Sequence, residues 1–152
     1  MTAARSPLAI ALLLAALATA GCAAPVEDGS SAEACEYLTK ADAEAMLAAK
    51  IAGPLSSVAE NASTCAYVAN DFALGVAVYR DTDVLTEFRH DHEDVRAVGD
   101  FGYPALRTGD GAVFGAQSDT RACLVNLMVK LPADPDGFSA AEAAVCRKVL
   151  NY

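Results

Sequence analysis

The chain of 152 residues contains no tryptophan, two histidines and eleven basic residues against twenty acidic ones. Each scarcity excludes something. A formal net charge of −9 does not suit a nucleic-acid binder, which needs lysine and arginine to displace counterions along phosphates. The two histidines, His90 and His92, lie within three residues of each other, so no histidine elsewhere is available to serve a distant nucleophile. The sequence holds no Gly-x-Ser-x-Gly turn and no Cys-x-x-Cys pair, and Thr108-Gly-Asp-Gly111 reads as a hairpin turn, not as a phosphate or calcium loop. Twenty carboxylates make chance acid pairs common, so they single out no catalytic dyad. The expectation is a protein that is not an enzyme and has no cofactor.

A long hydrophobic run is also missing. After Arg5 an apolar stretch occupies residues 8–20, thirteen in all, against the ~20 that a helix needs to cross a bilayer. A positive start, a short apolar stretch and small residues behind it are the marks of an export signal. Two processing sites compete. Ala18-Thr19-Ala20 suits ordinary secretion, whereas Thr19-Ala20-Gly21-Cys22 resembles a bacterial lipobox with Thr19 in place of the usual leucine. Five cysteines favour the second: lipidation of Cys22 by palmitate-type acyl chains leaves Cys35, Cys65, Cys123 and Cys146, an even set for an oxidising compartment. Residues 1–21 are thus expected to be a lipoprotein signal peptide. Residues 22–34, small and polar, read as a flexible tether, and residues 35–152 as a single extracytoplasmic domain.

Within that domain, Thr39-Lys-Ala-Asp42 opens a helix that Gly53-Pro54 ends. Residues 65–69 and 72–79 flank Asn70-Asp71 as a hairpin, with Phe72, Leu74, Val76 and Val78 on one face. Asp83 caps a second helix to about Val95, with Leu85, Phe88, His92 and Val95 along one stripe. Residues 103–107, 112–117 and 122–131 form a meander. Its last strand, in which Cys123, Val125, Leu127, Val129 and Leu131 alternate, is placed centrally. Residues 132–137 read as a loop, and Ser139-Ala-Ala-Glu142 as a capping box that opens a last helix to about Asn151. The order gives an α+β fold: an antiparallel sheet of about five to six strands with helices packed against it. Four cysteines allow three pairings. Tying each helix to a neighbouring strand favours Cys35–Cys65 and Cys123–Cys146.

Two groups are candidates for a site. His90-Asp-His92-Glu-Asp94 is the one cluster with metal-ligand chemistry, although on a helix His90 and His92 point in nearly opposite directions. Tyr37, Tyr67, Tyr79 and Tyr103, with Phe101, could line a ligand pocket between sheet and helices, or serve as plain core.

Cys35-Glu-Tyr-Leu-Thr, Thr64-Cys-Ala-Tyr67 and Val98-Gly-Asp-Phe-Gly-Tyr103 resemble small uncharacterised bacterial lipoproteins of actinobacterial type, which carry Cys-x-x-Leu-Thr and Cys-x-Tyr motifs. These are distantly similar to the extracellular sensor domains of mycobacterial membrane kinases. Gly99-Asp100 departs from the commoner Gly-x-Gly-Asp. The resemblance implies fold and address and carries over no catalytic residue. The expectation is a lipid-anchored lipoprotein of the cell envelope, on the outer side of the cell membrane or at an outer membrane. Its domain would bind a ligand or protein of that envelope, with metal binding through His90 and His92 as the alternative.

Overall fold

In the computed structural model, residues 32–69, 72–80, 83–128 and 135–151 are described. The chain order is α1 (Glu33–Tyr37), α2 (Lys40–Leu47), β1 (Leu55–Val58), β2 (Ala62–Ala69), β3 (Phe72–Arg80), α3 (Val84–Asp91), β4 (Val95–Ala97), β5 (Ala105–Thr108), β6 (Val113–Gln117), β7 (Arg121–Met128) and α4 (Pro135–Leu150). The strands form one antiparallel sheet in the order β1-β2-β3-β7-β6-β5-β4. The fold is α+β as expected, and β7 is its middle strand. Both expected disulfides are present: Cys35–Cys65 ties α1 to β2, and Cys123–Cys146 ties β7 to α4.

The sheet has seven strands, not five to six, and the two strands missing from the sequence reading are its edges. β1, Leu-Ser-Ser-Val, shows no alternation because it is exposed throughout and pairs only with β2. β4 takes Val95 from the stripe assigned to the second helix. That helix stops at Asp91, His92 turns extended, and Val95 pairs with Thr108. A longer helix would have gathered Asp91, Glu93 and Asp94 at its negative C-terminal end, where carboxylates destabilise it.

The side-chain caps read at Thr39 and Asp83 are present, but α2 stops at Leu47, where Ala48 turns left-handed (φ 49°), and does not run on to Gly53-Pro54. Thr39 Oγ1 accepts from Asp42 N at 3.2 Å while Thr39 N donates to Asp42 Oδ2 at 3.2 Å, a reciprocal box. Asp83 accepts from Thr86 N at 3.2 Å. Ser139 and Glu142, however, are not a cap. α4 begins at Pro135, whose fixed φ and missing N–H suit a first helical position, so both residues lie inside the helix. Order also begins before residue 35, because α1 starts at Glu33, at the end of the stretch read as tether, and Ala32 and Ala34 are buried. The Asn70-Asp71 turn, the strand end at 129–131 and residues 132–134 of the expected loop lie outside the described residues, as do residues 1–31 with Cys22, while 135–137, read as loop, form the first turn of α4.

One face of the sheet carries the core. Cys65, Tyr67, Leu74, Val76, Val78, Cys123, Val125, Phe114 and Ala116 point there and meet Leu38, Leu47, Phe138, Val145 and Val149 from the helices. The helices on that face are α1, α2 and α4, and among the described residues α3 alone packs on the other. Gly115 permits it: a Cβ there would come within 3.1 Å of both Phe88 and Leu124, so the missing side chain lets α3 settle close to β6.

Candidate functional site

The second face of the sheet is covered unevenly. α3 lies over β5 and β6, while Val68 and Met128 stay about half exposed on the strands beyond it. Along the edge of α3 runs a groove of about 230 Å³ lined by Tyr79, Val84, Glu87, Phe88, Asp91, His92, Val113, Leu124 and Asn126. Strand alternation builds it. Tyr79 and Asn126 each follow directly on a core-facing neighbour, Val78 and Val125, in the paired β3 and β7, and therefore face outward. Glu87 and Asp91 are four apart on α3 and so share one face of that helix.

The floor is apolar, with Val84 and Phe88 buried. The Phe88 ring meets that of His92 at a tilt of 50°, with centroids 4.8 Å apart. Asn126 lies across the sheet onto Gly75, where a Cβ would stand 2.7 Å from Asn126 Oδ1, so glycine makes room for the amide. The Asn126 amide, the Tyr79 hydroxyl and the Glu87 carboxylate have no hydrogen-bond partner among the described residues. Burial pushes the Tyr79 phenol above its ordinary range, and the neighbouring Glu87 charge adds to that.

The four tyrosines proposed for a pocket do not share one cavity. Tyr37 and Tyr67 are core residues: Tyr67 donates to Leu38 O at 3.0 Å, and the Tyr37 hydroxyl accepts from Arg121 at 2.9 Å. Tyr79 lines the groove on the opposite face. Tyr103 donates to Asn151 at 3.0 Å and lines a wider, open hollow of about 610 Å³ with Asp83, Thr86, Arg89, Gln117 and Asp119. A phenol on alternating strands faces whichever side its register dictates, which composition alone cannot give.

His90 is exposed on α3 with Nδ1 3.1 Å from Asp91 Oδ1, while His92 is in the groove. Among the described residues, no group of three or more His, Cys, Asp or Glu side chains could hold a metal ion.

Two features escaped the sequence. Glu33 in α1 binds Arg80 and Arg121, the latter at 2.5 Å, and Arg121 reaches Val149 O at 3.3 Å, so one short helix is tied to β3, β7 and α4. Glu142 is fully buried, and neither carboxyl oxygen has a hydrogen-bond partner among the described residues; nor has Ser139 Oγ one turn before it. Burial pushes the Glu142 carboxyl up to about 9, against the opposing charge of Arg107 and with the help of Asp110. Asn126 did carry a signal, being a polar residue in the cleanest apolar strand.

No helix among the described residues is long and apolar enough to cross a membrane. Comparison with protein-family models, with curated proteins and with solved structures finds no match to this chain.

Proposed function

We propose that the chain is a lipoprotein of the cell envelope, processed before Cys22 and lipidated there. Its domain stands on the outer side of the cell membrane or at an outer membrane as a non-enzymatic binding module for a ligand or a protein. The observation that carries this reading is the cysteine pairing. Four cysteines are joined two and two, which leaves Cys22 with no cysteine of its own chain to pair with. Structural disulfides persist outside the cytoplasm, and a leftover cysteine just behind a short apolar stretch suits acylation. Acyl chains then hold the protein by about 0.8 kcal/mol per buried CH₂. The groove beside α3 supports the binding half of the proposal: it combines an apolar floor with a few free polar groups, the usual make-up of small-molecule sites.

Intact-mass measurement after expression in a lipoprotein-processing bacterium, with detergent phase partitioning, tests the anchor. The expected result is loss of residues 1–21, an acyl mass on Cys22 and recovery in the detergent phase; Cys22→Ser should move the protein to the aqueous phase. Native protein with an unmodified Cys22, or with four free thiols in the domain, overturns the reading. The competing metal reading draws on the contact between His90 and Asp91. Zinc calorimetry showing binding that His90→Ala and His92→Ala abolish would favour it.

A further inference from the structure

We infer that the groove between α3 and β3–β7 is a site for a small protonated amine carrying an apolar body. The inference rests on the binding reading above and names its ligand class. Three observations converge on it. The floor, made by Val84, Phe88, Val113 and Leu124, takes an aliphatic or aromatic body and offers it no charge. The rim presents the exposed carboxylates of Glu87 and Asp91, four residues apart on α3 and the second 3.1 Å from His90 Nδ1, so the groove is negative where a cation would enter. Across from them the Tyr79 oxygen and the Asn126 carbonyl are acceptors that no group among the described residues uses.

The position of Asn126 speaks for a ligand more than for the fold. An amide half-buried on a sheet, over a glycine whose missing Cβ would otherwise sit 2.7 Å from it, gives the protein no hydrogen bond. A buried or half-buried polar group left unpaired costs stability, so it calls for a partner. An ammonium group supplies three donors. One can go to Glu87 and one to Tyr79, while the attached carbon chain runs over Phe88 and Leu124 toward Asn126, which stands opposite Gly75, four rungs along β3 from Tyr79. A carboxylate-bearing ligand would meet Glu87 and Asp91 with like charge, and the net charge of −9 adds to that repulsion at longer range.

The test is a chemical-shift titration of the isotopically labelled full chain in detergent micelles with 2-phenylethylamine, against 2-phenylethanol and phenylacetate, which keep the ring and change the charge. The expected result is shifts at Tyr79, Phe88 and Asn126 on adding the amine. Glu87→Gln should weaken binding by about two- to fivefold, the size of an exposed ion pair. Glu87 is exposed, so this substitution leaves the fold in place, and the disulfide count by mass checks it. The alcohol should bind more weakly and phenylacetate not at all. Equal binding of the alcohol, tighter binding of phenylacetate, or amine shifts away from the groove overturns the amine assignment while leaving a binding module standing. No shift with any of the three also overturns it, and the lipid anchor is then judged by the mass measurement alone.

Discussion

Glu33 in α1 and Glu142 in α4 each sit a few residues before a disulfide cysteine that pins their helix to the sheet, and they experience opposite surroundings. At Glu33 burial would raise the carboxyl, but the hydrogen bond from Arg80 and the charges of Arg121 and Arg80 outweigh it, and the group is held below its ordinary range. At Glu142 no donor arrives among the described residues. Arg107, whose charge opposes the shift, is 3.8 Å from Asp136 at the exposed start of α4, and burial wins. One glutamate is therefore charged at neutral pH and the other neutral. Burial of an acid is decided by what converges on it. The consequences for stability have opposite signs. Glu33, with its folded value depressed, contributes above its unfolded value near 4.5 and loses that contribution as pH falls through the folded value. Glu142, with its folded value raised, contributes fully below 4.5 and loses that contribution as pH rises toward about 9.

The largest test removes the pins. Each disulfide closes a loop of similar length, 30 residues for Cys35–Cys65 and 23 for Cys123–Cys146. Chain entropy alone thus assigns each about 3–4 kcal/mol. The two ends should still differ: α1 has only five residues and holds the Glu33 cluster in place, so Cys35→Ala/Cys65→Ala should lose more than Cys123→Ala/Cys146→Ala. Urea unfolding of both double variants gives the two losses, and equal values would erase the contrast.

Next in size is the alkaline slope. Between pH 4.5 and about 9 the folded state keeps one proton that the unfolded chain releases, so stability should fall by about 1.4 kcal/mol per pH unit from this group. Glu142→Gln and Glu142→Leu should flatten that slope, and Glu142→Leu should raise the melting temperature at pH 8. A wild-type profile that is flat from pH 5 to 8 would show that Glu142 finds a partner in solution.

On the other side of the comparison, Glu33→Gln should cost about 1–3 kcal/mol, the size of a charge-assisted hydrogen bond lost from a partly buried site. Arg121 keeps the Tyr37 hydroxyl and Val149 O as acceptors. The variant should also lose the part of the acid-side decline that belongs to Glu33, visible as a shallower fall in melting temperature below pH 4.5.

These two glutamates also mark what could be read in advance. Period-two alternation in residues 72–78 and 123–127 gave the central strands and their core face, and the caps at Thr39 and Asp83 gave two helix starts. The cysteine pairing followed from placing a helix beside a strand. What stayed hidden depends on partners distant in sequence. Glu33 looked like tether because Arg80 and Arg121 are 47 and 88 residues away. Glu142 looked like a cap because Ser-x-x-Glu is a local pattern, and its burial is a tertiary fact. The groove needed the register of β3 against β7 and the side of the sheet that α3 takes, neither of which is written in composition.

The smallest effect concerns the link between the two ends. Lys148 in α4 reaches Asp42 in α2 at 3.1 Å, and both side chains are more than a third exposed to water or close to it, 49% and 34%. An exposed pair of this kind contributes about 0.2–1 kcal/mol and is screened by salt. Asp42 also closes the cap on Thr39, so its removal would mix two effects, and Lys148→Met isolates the pair. That substitution should cost less than about 1 kcal/mol at low ionic strength, and the loss should vanish at high salt. Combining it with Glu142→Gln asks whether the ends communicate. The two sites lie on different turns of α4 and share no partner among the described residues, so the losses should add. A coupling well above the usual error of additivity would mean that α4 moves as one rigid lever, and the contrast drawn between its buried acid and the α1 cluster would then belong to the whole helix.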